Sequence, residues 1–524
     1  KNIKSVGCLD KKSYICSMKD EQTYNKIKNE NELLKAEVAH LKEHIAYLER
    51  QLYGSKRDKL KKSQYDDCPR LFDDSIFGDA LDEKAAEIEK ISEEIQQEAK
   101  KRRQKSKNTT SRPKTYQYHG LEERVTVEYP KGINIDEMDQ IGCDVTRILH
   151  IQKARYWVEV IERPIYRPKA ERATLSPTIY QAPTPNKTIG GNHVGADFLA
   201  QVVIDKYQYH IPEYRQIKKF ADLGVKIPHS TLNNWVHSTA SKLEPLYEAL
   251  RKDILLSDYL QIDEVPWRIA DSPGKTRKGY AWQFQDARPE SHGLYFMYYQ
   301  GSRAGIVPRS ELKKYKGAIQ TDGYTVYDYF EYVEGVTLLG CMAHVRRKFI
   351  EAQMTYPELA AEGVRMISLL YELEANLRDK GSSYEMIEKE RKEKAIPIME
   401  TMEKWMERSS SKCTPADKMG KALDYAYKLW PRLKRYAEDG RYQIDNNSVE
   451  RAQRPSVMGR KNYLFSKNDN GAIDNAIFYS LIESCEIVGI NPLEYLTYVL
   501  DKLNDGLDDE EIKSLLPYYY KKAR

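Results

Sequence analysis

The stretch from Asp258 to Ala352 constrains the fold more than any other part of the chain. DYLQIDEVPWRIA reads as a strand ending in Asp263 and Glu264, GYAWQFQDA as a second with Tyr280, Trp282 and Phe284 on one face, and HGLYFMYYQ as a third. A helical piece near Ser310 to Tyr315 follows, then GAIQTDGY, a fourth strand that sets Asp322 before a glycine. VTLLGCMA is a fifth strand and runs into the helix AHVRRKFIEA.

Three strands, a helix, a strand, then a further strand and helix is the order of an RNase H-like α/β sheet. Its first and fourth strands are neighbours, so Asp263 and Asp322 are expected to converge at the carboxyl edge, where open α/β sheets hold ligands. Two carboxylates so close repel unless a cation sits between them. A third acid stands in IDNNSVERAQRPSVMGRKNYLF, Ile444 to Phe465. This segment reads as a helix opening in Asp445, Asn446 and Asn447 and carrying Glu450 beside Arg451 and Arg454. Glu450 and Arg454 share a helical face, which fits either a surface ion pair or a metal-binding carboxylate next to groups that grip phosphate. With Asp263 and Asp322, Glu450 suits two Mg²⁺ ions, hard cations that take oxygen ligands. Two such ions about 4 Å apart clamp the attacking and leaving oxygens of an in-line phosphoryl displacement. Asp263 and Asp322 are expected to bridge the metals and Glu450 to bind the second. His344, Arg346, Arg347, Arg454, Arg460 and Lys461 are phosphate-side candidates, with core packing the alternative for His344.

At 524 residues the chain is too long for one core. Its net charge of +5 is mild, so any nucleic-acid surface must be local. The absence of a signal peptide or an apolar run long enough to span a bilayer points to a soluble, intracellular protein. Lys1 is not a methionine, as in a trimmed start. The seven cysteines, Cys8, Cys16, Cys68, Cys143, Cys341, Cys413 and Cys485, form no CxxC pair and read as reduced thiols.

Upstream, Tyr24, Ile27, Asn31, Leu34, Val38, Leu41, Ile45, Leu48 and Leu52 alternate spacings of three and four. This is a heptad, with Asn31 at a register-fixing position, and it predicts a parallel homodimer or small oligomer; the alternative is one amphipathic helix folded back on the protein. A glycine-broken basic turn, LYGSKRDKLKK, follows. A helix from Asp79 to about Gln104 then grows strongly basic and leads into the linker NTTSRPKTY. Arg112 and Lys114 there either belong to a solvated segment or enter a minor groove. Alternation from Tyr116 to Lys169 predicts a small β-rich module. PEYRQIKKFADLGVKIPHSTLNNWV has helix-turn-helix spacing, a helix from Pro212 to Leu223 and a second capped by Ser230, and is either structural or DNA-reading.

QIDEVPW, QTDGY, CMAHVRRKF and IDNNSVERAQRPSVMGRKNYLF together resemble the motifs of the IS66 family of DDE transposases from insertion sequences. The likeness spans most of the chain, from the heptad and LYGSKRDK to the tail SLIESCEIVGINPLEYLTYVL ending near LLPYYY. It implies that Glu450 is the third acid and that an all-α insertion interrupts the α/β RNase H-like catalytic core before it. It also implies a bacterial cytoplasmic location, no membrane association, and accessory proteins of the same element as candidate partners. The expected organisation is an N-terminal segment with a coiled coil (1–62), a basic helix and linker (63–115), the β-rich module (116–170) and a helical, DNA-binding region (171–255). The core's first part (256–356), the helical insertion (357–440), the core's last part with the third acid (441–480) and a helical tail (481–524) follow.

One departure stands out. Members of that family carry a small zinc module with paired cysteines between basic segment and core, whereas residues 116–169 hold Cys143 alone. A tetrahedral zinc site needs about four N or S ligands, so no structural zinc is expected. Cys341 and His344 form a C-x-x-H pair, for which packing or helix positioning by Cys341 is the preferred reading. The function implied is a Mg²⁺-dependent (or Mn²⁺-dependent) transposase that cuts at the terminal inverted repeats of an element and joins the 3′-hydroxyl ends to target DNA. A structure-selective nuclease on the same sheet and an inactive or domesticated DNA-binding protein are the alternatives.

Overall fold

The computed structural model describes residues 82–109, 156–166, 180–183, 187–190, 194–503 and 506–523. The heptad, the LYGSKRDKLKK turn, Arg112, Lys114, most of residues 116–170 and Cys8, Cys16, Cys68 and Cys143 lie outside them. The chain divides into two compact units, one holding Glu98–Cys341 and Asp439–Arg524, the other Lys1–Gln97 and Met342–Glu438. Helix α1, Asp82–Thr109, comes first, and the two-residue strands β1 (Ile165–Tyr166) and β2 (Tyr180–Gln181) pair antiparallel.

The first unit is built on a mixed five-stranded sheet with helices around it. Helices α2 (Ala196–Tyr207), α3 (Glu213–Asp222) and α4 (His229–Ile254) precede the sheet. The turn between α3 and α4 uses Gly224 at φ +89°, and Pro228, in extended conformation, starts α4. Ser230 therefore lies inside the helix and does not cap it; the fixed φ of Pro228 sets the start two residues earlier. Strand β3 (Tyr259–Ser272) turns at Gly274 into β4 (Lys275–Asp286), and β5 (Leu294–Tyr298) completes an antiparallel meander. Helix α5 (Ile306–Glu311) crosses to β6 (Gly317–Gln320), and a 3₁₀ segment, Thr325–Tyr332, leads to β7 (Val336–Leu339). The strand order is β5-β4-β3-β6-β7, with β6 parallel to both β3 and β7.

The sheet is covered on both faces, which suits its run of large apolar residues. Trp282, Phe284 and Tyr295 are fully buried, Phe284 and Tyr295 stacked at 4.9 Å, and each such side chain contributes about 1.5–3 kcal/mol. On the other face Trp267 meets Phe296 and Tyr479.

The second unit is helical. After α6 (Met342–Ala352) come α7 (Pro357–Asp379), α8 (Tyr384–Glu390), a π turn at Arg391–Ala395, α9 (Ile396–Ser410) and α10 (Lys418–Lys434). Gly363 lets α7 pass under the Trp405 ring, where a Cβ would stand 2.8 Å from its edge. The chain returns to the first unit with α11 (Asn447–Tyr463), α12 (Asp469–Val488) and α13 (Pro492–Lys502), followed by α14 (Asp509–Ser514) and α15 (Pro517–Ala523). Among the described residues no helix is long and apolar enough to cross a membrane.

Candidate active site

Strand β3 does not end at Asp263 as its sequence suggests. It continues to Ser272 because β4 pairs with it along that whole length, whereas its parallel ladder with β6 stops at Gln261↔Gln320. Beyond that point the ladder ends and β3 and β6 part, at the carboxyl end of β6. Asp263 and Asp322 each follow the last paired glutamine by two residues, so the register sets them level where the strands part. Asp322 sits in a turn whose Gly323 adopts φ +86°, and its Oδ1 accepts the Tyr324 N–H at 2.8 Å. Asp263 Oδ1 accepts the Glu264 N–H at 2.8 Å.

The same two glutamines hold the third acid's helix. Gln261 Nε2 donates to the Asp445 carbonyl at 3.0 Å and its Oε1 accepts the Ser448 hydroxyl. Gln320 Nε2 donates to the Gln443 carbonyl at 2.8 Å, and the buried Cys341 sulfur accepts the Asn446 N–H at 3.5 Å, just ahead of α11. Twelve residues beyond Ser448, the Arg460 guanidinium donates to the Pro266 carbonyl. A helix advances about 18 Å over that span and β3 about 17 Å between Gln261 and Pro266. Helix α11 therefore runs alongside β3 in the same direction, with Glu450 near the level of Asp263.

The electrostatics agree. Burial pushes the Asp263 carboxyl well above the ordinary carboxylate range, and the Asp322, Glu264 and Glu450 carboxylates add to the rise in that order among the acids. The Glu264 N–H opposes it. Asp263 keeps a little solvent access although protein surrounds it closely. Three acids far apart in sequence thus share one electric field. Among the described residues no group of three or more His, Cys, Asp or Glu side chains already stands as a metal-holding cluster.

The basic candidates separate. Arg451, Arg454 and Lys461 are exposed along α11, while Arg460 is partly covered and engaged with β3. His344, Arg346 and Arg347 belong to α6 of the helical unit.

Sequence reading passed over several residues. Glu264 turns to the opposite sheet face, where Arg303 donates to it through Nε at 2.9 Å and the Tyr327 hydroxyl at 3.3 Å. The Arg303 guanidinium also lies over the Tyr324 ring at 4.2 Å. Gln261 and Gln320 carry the helix attachment, and the signal for them was available: both acids are preceded two residues earlier by glutamine, Q-x-D in each strand.

A mixed α/β sheet with one acid within β3 and a second just past the carboxyl end of β6 is the class of fold to which this site belongs. Residues 191–474 match the Transposase IS66 family and residues 480–518 match the IS66 C-terminal element, and the chain belongs to this transposase family. It is similar to three uncharacterized proteins of Sinorhizobium fredii. One, y4qI, is 26% identical over 500 residues, covering 92% of this chain and 89% of its own length. Another, y4jD, is 28% identical over 401 residues, covering 73% and 76%. The third, y4hP, is 27% identical over 428 residues, covering 76% and 75%. Family membership implies a function in DNA transposition and, with it, DNA binding.

Proposed function

We propose that the chain is a divalent-metal-dependent DNA transposase that cleaves at element ends and joins the 3′-hydroxyl to target DNA, with Asp263, Asp322 and Glu450 as its catalytic acids. The level register of Asp263 and Asp322 on neighbouring strands carries this reading, and it favours an RNase H-like core. The donor set fits the group: three carboxylates, one of them disfavoured as an anion first by its burial and then by the charge of its acidic neighbours, form a site that a hard cation would relieve. When bound, Mg²⁺ or Mn²⁺ would supply charge stabilisation for in-line phosphoryl transfer.

The protein's own groups position the reactants. Asp263 and Asp322 hold their orientation through backbone N–H groups, and Gln261 and Gln320 keep Glu450 at their level. Arg451, Arg454 and Lys461, together with Arg460 when it is released from Pro266, would neutralise DNA phosphates. His344, Arg346 and Arg347 on α6, and Arg112 and Lys114 in the basic arm, are further candidates for contact with DNA phosphates. Residues 357–440 act as a helical insertion, the heptad of residues 24–52 pairs protomers so that two element ends are held together, and no structural zinc is involved.

Strand transfer with the element's own terminal repeats in Mg²⁺ tests the reading. Joined products that vanish in Asp263→Asn, Asp322→Asn and Glu450→Gln support it. Cleavage without joining would favour a nuclease, and binding without cleavage a DNA-binding relic.

A further inference from the structure

Gln283 stands directly opposite Asp263 in the β3–β4 ladder, so the two side chains emerge on one face of the sheet. It is 0% exposed, and neither its Nε2 nor its Oε1 has a hydrogen-bond partner. On α11, which runs along this face, Gln453 lies one turn beyond Glu450 and its buried Nε2 is also without a partner. The neighbouring glutamines behave otherwise: both polar atoms of Gln261 and of Gln320 are hydrogen-bonded. Leaving a buried donor or acceptor unmade costs about 1–3 kcal/mol per group. A methionine of nearly the same volume would avoid that cost at Gln283. An amide retained at such a position, beside an acid, points to a use other than packing.

We propose that Gln283, seconded by Gln453, is a positioning residue of the metal site, its amide N–H donating to the Asp263 and Glu450 carboxylates in the orientation that holds the cation. This rests on the metal-dependent reading above and deepens it. The amides do not touch the reacting phosphate; they fix the carboxylates, as outer-shell partners of metal ligands generally do.

The test uses the full chain and two readouts besides activity: Mn²⁺ affinity by titration calorimetry, and melting temperature in EDTA. Gln283→Met is expected to keep or raise the melting temperature in EDTA while weakening Mn²⁺ binding about 10- to 100-fold. Gln453→Met is expected to do the same to a smaller degree. A melting temperature lowered in both variants with Mn²⁺ affinity unchanged would make the amides structural and overturn the proposal. Asp263→Asn, measured alongside, separates the two levels. If it binds Mn²⁺ as the unaltered chain does, the metal-site reading itself fails. If it loses Mn²⁺ while both glutamine variants retain full affinity, only the positioning role falls.

Discussion

Two buried polar centres in this molecule are built on opposite plans. In the helical unit, Arg391 and Glu374 are 2% and 3% exposed and meet through two parallel hydrogen bonds of 2.8 Å, while Arg391 also donates to the Tyr436 carbonyl at 2.8 Å. Charge and hydrogen-bonding capacity are balanced there. On the sheet, Asp263 is buried within the field of the Asp322, Glu264 and Glu450 carboxylates and stands opposite an amide without a partner. A pair that closes on itself positions helices, whereas a centre that leaves charge and donors unbalanced is suited to receive something.

That contrast can be broken most directly at the acids. Asp263→Asn, Asp322→Asn and Glu450→Gln are each expected to lower strand cleavage by about 10³-fold or more. Asp263→Asn should also keep or raise the melting temperature in EDTA, because a carboxylate disfavoured by burial and by its acidic neighbours is removed. A fall in thermal stability together with retained cleavage would reduce the sheet centre to a structural one. Glu374→Ala is expected to do the reverse, costing about 3–5 kcal/mol in denaturant unfolding because it strands a buried guanidinium. A loss under 1 kcal/mol would show that the helical unit does not depend on the pair.

Glu483 on α12 sharpens the comparison, since it is a buried acid outside the four acidic and basic motifs. Burial, with Glu486 adding, pushes its carboxyl up to about 8. The folded state then favours the protonated form. Its contribution to stability is full below about pH 4 and is lost as pH rises toward about 8. Glu483→Gln should therefore gain stability over the unaltered chain through that window, reaching a few kcal/mol above pH 8, with cleavage unchanged. A pH-independent difference in unfolding free energy would contradict this assignment. The smallest effect is expected at the surface: Asn468→Ala removes the side chain that accepts the Gly471 N–H at the start of α12 and should cost about 1 kcal/mol without touching Mn²⁺ affinity.

The α/β character was readable because the strands from Asp258 to Leu339 are rich in apolar and aromatic residues and set off by glycines, and because both acids stand two residues after a strand glutamine. The end of β3 was not. Its residues beyond Asp263 continue only because β4 pairs with them, a long-range contact that local pattern does not contain. The opposite faces taken by Asp263 and Glu264 follow from simple strand alternation. Their different partners do not, because Arg303 and Tyr327 arrive from distant turns. Gln283 gave no signal at all, since a glutamine in an alternating strand looks solvent-facing until the neighbouring helices cover it.

One side chain has an architectural consequence. Gln320 Nε2 donates both to the Gly340 carbonyl, where the chain leaves the sheet, and to the Gln443 carbonyl, where it comes back. A single amide clasps the two ends of an excursion from Gly340 to Gln443, so the seating of α11 on the sheet is fixed where the chain returns and not by the length of what lies between.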